Sequence, residues 1–138
     1  MHEYSMMQTV LEAVLNAAEP HKAEKVLEIS IEVGELTFLK PEELKFAFSI
    51  LSKGTIAEKA RLHIKRIRPR IKCAECGYEG YVKYEGPEHD SLDIPLQLKC
   101  TKCESTKVEI TSGRECNVKR VKLRLSSGPK PSEAVQKT

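Results

Sequence analysis

Cys73-Ala74-Glu75-Cys76 and Cys100-Thr101-Lys102-Cys103 form two matched Cys-x-x-Cys pairs, separated by residues 77–99. Two residues between the thiolates allow one tight turn to aim both sulfurs at a single ion, and two such turns supply the four sulfurs of a tetrahedral zinc site. Four sulfurs leave no open position for water, so the site is predicted to stabilise the fold and not to catalyse a reaction. The competing interpretation, a redox-active dithiol, needs a Cys-x-x-Cys that opens a helix, and neither pair follows a strand-to-helix pattern.

The segment before the first pair changes from helical to strand periodicity. Residues 5–18 have apolar side chains at the spacing of one helix face, and Ser5 with Gln8 predicts a capping box at the start of that helix. Residues 27–33 alternate between apolar and polar side chains, which is typical of a strand with one buried face. A second helix is predicted from Pro41, because proline is favoured in the first turn of a helix.

Residues 60–64 and 121–125 also alternate, so one strand is predicted before the cysteine pairs and another after them. The predicted fold class is therefore α+β: two helices packed on a small sheet of about three strands, with a zinc-ribbon module inserted before the last strand. The tail is rich in Pro, Ser and Lys and is predicted to be disordered. The predicted division is a first domain of residues 1–68 plus 117–125, a zinc-ribbon domain of residues 69–116 and a disordered tail of residues 126–138.

Composition excludes several classes of protein. The formal net charge is +3, and no apolar run approaches the roughly 18 residues that a membrane helix needs. Met1-His2-Glu3 is too acidic to begin a signal peptide, so we expect a cytoplasmic protein with no membrane association. Paired thiols in a reducing compartment are typical of metal ligands and not of disulfides. The fifth cysteine, Cys116, has no partner, and burial in the fold is its expected state.

Basic residues cluster on both sides of the cysteine pairs, at residues 65–72 and 119–124. They favour an alternative function, a zinc-ribbon module that binds nucleic acid or another protein. Aromatic residues make up 5% of the chain and Trp is absent, which leaves few platforms for stacking bases and argues against nucleic acid. Solvated strand faces are the simpler interpretation of these charges. The chain is not expected to be an enzyme, because no nucleophile, base and orienting group converge.

The first three residues, Met1-His2-Glu3, have the donors of a chelator. A terminal amine, the following amide nitrogens and an imidazole can close adjacent five- and six-membered rings around one ion once the amides lose their protons. Cu(II) and Ni(II) favour such tetragonal nitrogen coordination, and zinc gains least from it. Glu3 would add an amide nitrogen, or a carboxylate that supports the ligands. These three residues alone leave open the alternative of an exposed histidine without a role.

The other histidines are weaker candidates. His89 lies in the polar loop between the cysteine pairs, next to Glu88 and Asp90, and is a candidate accessory metal ligand; the alternative is a solvated loop histidine. His63, on the polar side of its strand, and His21, in a turn, are expected to be surface residues.

Six segments, taken in order, carry a family resemblance: Met1-His2-Glu3-Tyr4-Ser5, Val33-Gly34-Glu35-Leu36, Pro41-Glu42-Glu43-Leu44-Lys45-Phe46-Ala47-Phe48, Gly54-Thr55-Ile56-Ala57-Glu58 and the two cysteine pairs. From residue 1 to about residue 125, the chain resembles the HypA/HybF family of nickel metallochaperones. The resemblance implies a protein that binds Ni2+ at its N-terminus and passes it to the large subunit of [NiFe]-hydrogenase, in some bacteria also toward urease, with a HypB-type GTPase as partner. By position it implies that His2 is the nickel ligand, beside Met1 and Glu3 in the same motif. It also implies that Zn2+ is held by Cys73, Cys76, Cys100 and Cys103.

Overall fold

The structure is a computed structural model that describes residues 3–82, residues 98–125 and the backbone of residues 131–134. Within these residues, both α-helices come early in the chain, and six strands follow the second helix. In chain order the elements are α1 (Glu3–Ala18), a first 3-10 turn (Glu19–His21), β1 (Ala23–Gly34), a second 3-10 turn (Glu35–Thr37), α2 (Pro41–Leu51), β2 (Arg61–Ile67), β3 (Arg70–Cys73), β4 (Glu79–Tyr81), β5 (Val108–Ser112), β6 (Cys116–Leu125) and β7 (Pro131–Ala134). No helix within this part of the chain is long and apolar enough to cross a membrane.

The larger of two sheets has the strand order β2-β1-β6-β7. β1 and β2 are parallel, which requires a crossover connection, and α2 lies in that connection. β6 pairs antiparallel with the other side of β1 and follows β3, β4 and β5, which form the smaller sheet. The predicted α+β fold, with two helices on a small sheet and a cysteine-containing module inserted between β2 and β6, is confirmed.

One face of the larger sheet packs against the helices. The apolar residues predicted at helical spacing are buried in α1, and the alternating apolar residues of β1 and β6 meet them. The fully buried side chains of this core include Met7, Val14, Val26, Ile29, Ile31, Leu44, Val118, Val121 and Leu123. The opposite face of the sheet carries polar side chains, as the alternation in β1 predicts.

The start of α1 differs from the prediction. The helix begins at Glu3, so Ser5 lies inside it, and the backbone carbonyl of Ser5 accepts a hydrogen bond from the side chain of Thr9 at 3.4 Å. The predicted capping box is therefore wrong. Oε2 of Glu3 instead accepts a hydrogen bond from the backbone N–H of Lys40 at 3.0 Å. This bond connects the first turn of α1 to the residue that precedes α2.

The smaller sheet has the order β4-β3-β5, with antiparallel neighbours and a core of its own. Within the described residues, its members are Leu36, Ile71, Cys73, Val82, Leu98 and Cys100. Leu36 belongs to the second 3-10 turn, directly after β1, and lies in the segment that the sequence assigned to the first domain. The two modules therefore share a buried side chain as well as a chain connection.

A close approach of two glycines joins the modules. Gly34 donates its backbone N–H to the carbonyl of Glu115 at 2.7 Å, and Leu36 donates to the carbonyl of Gly113 at 2.8 Å. A Cβ atom on Gly34 would lie 2.1 Å from the carbonyl oxygen of Gly113, so no side chain fits there. Gly113 itself adopts a φ of +113°, a conformation that favours glycine.

Part of the predicted disordered tail is ordered. Residues Pro131–Ala134 form β7, which pairs antiparallel with β6 from Val121 to Arg124. An unpaired edge of β6 would expose a row of backbone N–H and carbonyl groups, and β7 satisfies them. These four residues therefore form a strand within the segment that the sequence predicts to be disordered. The rest of the tail lies outside the described residues.

Candidate metal centre

The four cysteines of the two pairs meet at one point of the smaller module. The Sγ atoms of Cys73, Cys76, Cys100 and Cys103 all lie within 4.8 Å of one another. The Cys73–Cys103 and Cys76–Cys100 sulfur pairs are each 3.6 Å apart. Tetrahedral zinc with bonds of about 2.3 Å places its sulfurs about 3.8 Å apart, so the donor set fits that ion. It is the one cluster of this kind within the described part of the chain.

Two equivalent turns build this four-cysteine cluster. Gly77, directly after Cys76, donates its N–H to the carbonyl of Cys73 at 3.1 Å, and Glu104, directly after Cys103, donates to the carbonyl of Cys100 at 2.9 Å. Both residues that follow the pairs have a positive φ, +77° and +63°. Glycine adopts this conformation without strain, whereas the second turn holds a glutamate in it.

Backbone N–H groups point at the inner sulfurs. The amide of Glu75 donates to Sγ of Cys73 at 3.4 Å, and those of Lys102 and Cys103 donate to Sγ of Cys100 at 3.3 and 3.4 Å. Cys73 and Cys100 are buried, whereas Cys76 and Cys103 are exposed. The cluster therefore has two sulfurs anchored in the core of the module and two at its surface.

Hydrogen bonding also changes the acidity of these thiols. A hydrogen bond from the backbone of Cys76 lowers the pKa of Cys73, against the effect of desolvation. Desolvation raises the pKa of Cys100, but hydrogen bonds from the backbone of Cys103 and Lys102 outweigh it and bring the pKa to about 7. A hydrogen bond from the backbone of Ser105 lowers the pKa of Cys103, yet desolvation and the neighbouring thiols raise it more. Hydrogen bonding thus favours the thiolate forms of Cys73 and Cys100, and the thiolate is the form that binds metal.

The residues predicted to bind nickel are described only in part. Met1, His2 and His89 lie outside the described residues. Glu3 is the first residue of α1, and its carboxylate is engaged by the backbone N–H of Lys40. Desolvation raises the pKa of Glu3, but the hydrogen bond from Lys40 and further interactions lower it below its usual value. Lys40 was not among the predicted site residues, because no spacing rule connects residues 3 and 40.

The remaining candidates lie apart from the four cysteines. His63 is exposed, and its Nε2 lies 2.7 Å from Oε1 of Glu28, while His21 is exposed in the first 3-10 turn. Both histidines are surface residues, as predicted. Cys116 begins β6 and is half-buried, and desolvation raises the pKa of its thiol. It takes no part in the four-cysteine cluster.

The chain is similar in sequence and in fold to a known protein family. A family model described as "HypA: Hydrogenase/urease nickel incorporation, metallochaperone, hypA" matches residues 1–123. A curated relative from Methanothermobacter thermautotrophicus, named hydrogenase maturation factor HypA, is 43% identical over 125 residues, which cover 89% of this chain and 97% of the relative. A relative of the same name from Methanocaldococcus jannaschii is 41% identical over 124 residues, 86% of this chain and 94% of the relative. The fold resembles the solution structure of the Ni metallochaperone HypA from Helicobacter pylori, with a TM-score of 0.62 at 21% identity, over 91% of this chain and all of that one.

Proposed function

The chain belongs to the HypA family of hydrogenase/urease nickel-incorporation metallochaperones, and from this premise we propose that it binds Ni2+ at its N-terminus and delivers it during maturation of [NiFe]-hydrogenase. The observation that carries the proposal is the family match over residues 1–123, a span that includes Met1-His2-Glu3 and both cysteine pairs. The four-cysteine cluster has no open position for a cargo ion, so the transported metal needs a second site.

In this proposal the four-cysteine cluster holds a resident Zn2+. Its ligands are Cys73, Cys76, Cys100 and Cys103. The ion would cross-link the two turns and take part in no reaction. Among the described residues, the core around the cluster has six buried members, two of them the cysteines Cys73 and Cys100, and so small a core is commonly stabilised by a metal. Residues 69–116 then form the zinc-binding domain, while residues 1–68 with 117–125 form the domain that carries nickel.

The nickel site is proposed at the start of α1. The amine of Met1, the backbone nitrogen and imidazole of His2 and the backbone nitrogen of Glu3 form a set of nitrogen donors of the kind that Ni2+ favours. Backbone amides in the first turn of a helix have no intrahelical acceptor, so the amide of Glu3 is free of the α1 hydrogen-bond ladder. The carboxylate of Glu3 is held by Lys40, and we assign it the role of fixing the helix start and not that of a ligand.

Transfer of the ion needs a site that releases it easily. Each nitrogen donor of the N-terminal site is also a base, so protons compete with Ni2+ for every ligand, and a partner that offers better ligands can take over the ion stepwise. The proposed recipients are a HypB-type GTPase and the large subunit of [NiFe]-hydrogenase. His89, in the loop between the cysteine pairs, is proposed as an accessory ligand to the nickel.

Calorimetric titration with NiCl2 tests the nickel site directly. Zinc-loaded protein with an unmodified N-terminus is expected to bind one exchangeable Ni2+, and His2→Ala is expected to lose that binding while the zinc content stays at one per chain. His21→Ala and His63→Ala are matched controls, because they remove exposed histidines elsewhere. Undiminished nickel binding in His2→Ala would contradict the proposed site.

A further inference from the structure

The larger sheet has an unpaired edge at β2. This strand is an outer one in the order β2-β1-β6-β7, and within the described residues it pairs with β1 alone. Successive residues of a strand direct their backbone N–H and carbonyl groups to alternate sides, so half of those groups in β2 point away from β1. Such an edge is a template on which a further strand can form hydrogen bonds.

A groove lies beside the start of this edge. It has a volume of about 480 Å³ and is bordered by the C-terminal half of α2, the turn that follows it and residues 58–62. Phe48, Ala60 and Leu62 form its apolar part; Phe48 is buried in the core of the larger module, and the other two pack against that core. No residue of β1 lines the groove, so it lies on the outer side of β2. A strand added to this edge would have room there for its side chains.

The rim of the groove is basic. It carries the exposed side chains of Lys45 and Lys53 from α2 and the turn after it, Lys59 from the segment before β2, Arg61 from β2, and one acid, Glu58. None of the four cations forms an ion pair with a carboxylate in the part of the chain that the structure describes. The rim therefore favours an occupant that brings its own carboxylates.

The side chains of β2 favour the same kind of occupant along the strand. Leu62 and Ile64 pack against the core, whereas Arg61 and Lys65 are exposed on the opposite face. His63, between these two, already has a carboxylate partner, but neither Arg61 nor Lys65 has one among the described residues. A neighbouring strand whose side chains alternate between apolar and acidic would match both faces of β2 at once.

We propose that an extended segment of a partner protein, with alternating apolar and acidic side chains, adds to β2 as a fifth strand of the larger sheet. Its backbone pairs with the outer edge of β2, and its apolar side chains enter the groove and cover Leu62. Its carboxylates lie beside Arg61 and Lys65, where they accept charge-assisted hydrogen bonds. This inference goes beyond the proposed function, because it assigns a docking surface and involves none of the proposed metal ligands.

The composition of the edge disfavours two other occupants. The polar residues of β2 are Arg61, His63, Lys65 and Arg66, so two copies of the chain joined at β2 would place like charges side by side. Basic side chains on an edge strand thus prevent self-association while they admit an acidic strand. A nucleic acid has phosphates for the rim but no apolar side chain for the groove, and β2 has no aromatic residue on which bases could stack.

NMR spectroscopy of isotope-labelled, zinc-loaded full chain without nickel tests the proposal. The titrant is a capped heptapeptide that alternates aspartate and valine, and a heptapeptide of the same composition with the two residue types in separate blocks is the matched control. The alternating peptide is expected to shift the amide signals of β2 and to slow hydrogen exchange at several of them by about tenfold, because new backbone hydrogen bonds form. The block peptide is expected to bind about tenfold more weakly, because its side chains do not alternate with the period of a strand.

Two pairs of variants locate the contact. Ser49→Trp fills the groove from α2 and is expected to weaken binding of the alternating peptide several-fold. Ser5→Trp makes the same substitution at an exposed serine of α1 and is expected to leave binding unchanged. Arg61→Gln removes a charge of the rim and is also expected to weaken binding several-fold, whereas Arg114→Gln, at an exposed arginine outside β2 and the groove, is not.

Four outcomes would overturn the proposal. Equal weakening in each variant and its control would mean that net charge or surface disturbance explains the effect. Shifted signals without slowed exchange would mean that the peptide binds by charge and adds no strand. Tighter binding of a single-stranded DNA oligonucleotide would favour a nucleic acid as the occupant, and dimerisation of the chain that Ser49→Trp abolishes would favour a second copy. None of these measurements contains nickel, so their outcome is independent of the nickel titration.

Discussion

Glu3 and Lys40 join the starts of the two helices, because the backbone N–H of Lys40 donates to Oε2 of Glu3 at 3.0 Å. Lys40 precedes Pro41 and is the N-cap residue of α2, with an extended backbone and no side-chain cap of its own. A carboxylate at the first residue of α1 also interacts favourably with the positive end of that helix. One side chain therefore fixes where α1 begins and how it meets α2.

Removal of this contact is expected to cost a modest amount of stability. Glu3→Ala loses an exposed hydrogen bond to a charged acceptor, and we expect the free energy of unfolding to fall by about 1 kcal/mol. Urea unfolding of zinc-loaded protein, followed by circular dichroism, measures the change. Glu12→Ala, at an exposed glutamate of the same helix, is the control and is expected to lie near zero. Equal values for the two variants would show that the contact with Lys40 contributes nothing.

The contact between Glu3 and Lys40 is expected to make the stability of the protein depend on pH. Because the hydrogen bond from Lys40 contributes to a pKa of Glu3 below its usual 4.5, the ionised carboxylate stabilises the folded state. This contribution is fully present above pH 4.5 and is lost as the pH falls through the lowered pKa. The stability difference between the unmodified protein and Glu3→Gln is therefore expected to be constant from pH 7 to pH 5 and to shrink below pH 4.5. A difference that grows in acid would contradict this sign.

Metal removal is expected to act on one module only. Cys103→Ser, or treatment with a zinc chelator, should unfold the smaller sheet of β3, β4 and β5. The helices and the larger sheet should stay folded, because the core between them contains none of the four ligands. Amide signals from β3 and β5 report the loss, and those of α1 serve as the internal reference. Cys116→Ser removes the fifth cysteine and is expected to retain one zinc per chain. Loss of zinc in both variants would mean that Cys116 takes part in the site.

The sequence predicts those features that depend on local periodicity or on fixed spacing. The apolar spacing in α1, the alternation in β1 and the Cys-x-x-Cys pairs are all local patterns, and all three correspond to what the structure contains. The features that sequence reasoning missed depend on residues far apart in the chain. The hydrogen bond from Lys40 spans 37 positions, and neither it nor the pairing of β7 with β6 leaves a periodic signal in the sequence.

Leu36 illustrates a contact that periodicity does not reveal, and it supports a prediction on zinc retention. Leu36 lies in the core of the smaller module, whereas Leu39, three residues later, lies in the core of the larger one. Leu36→Ala is expected to destabilise the smaller module by about 2 kcal/mol, which corresponds to roughly thirtyfold easier opening. Zinc should therefore pass faster to a chromogenic chelator. Leu39→Ala is the matched control, and it should lower global stability without changing the rate of zinc release.

The glycine pair at the junction supports the last prediction. Gly34 has φ −68° and ψ 139°, which any residue can adopt, so a side chain is excluded there by the backbone of Gly113 and Arg114 and not by the conformation of Gly34. Gly34→Ala is expected to destabilise the protein by about 3 kcal/mol and to speed hydrogen exchange at the amides of Gly34 and Leu36, whose bonds cross the junction. Gly54→Ala is the informative control, because its φ of +79° makes an alanine strained while no atom lies within 4 Å of the added Cβ. That variant should lose about 1 kcal/mol and leave the exchange of both amides unchanged. If Gly34→Ala behaves in the same way as Gly54→Ala, the close approach of the two modules does not hold them together.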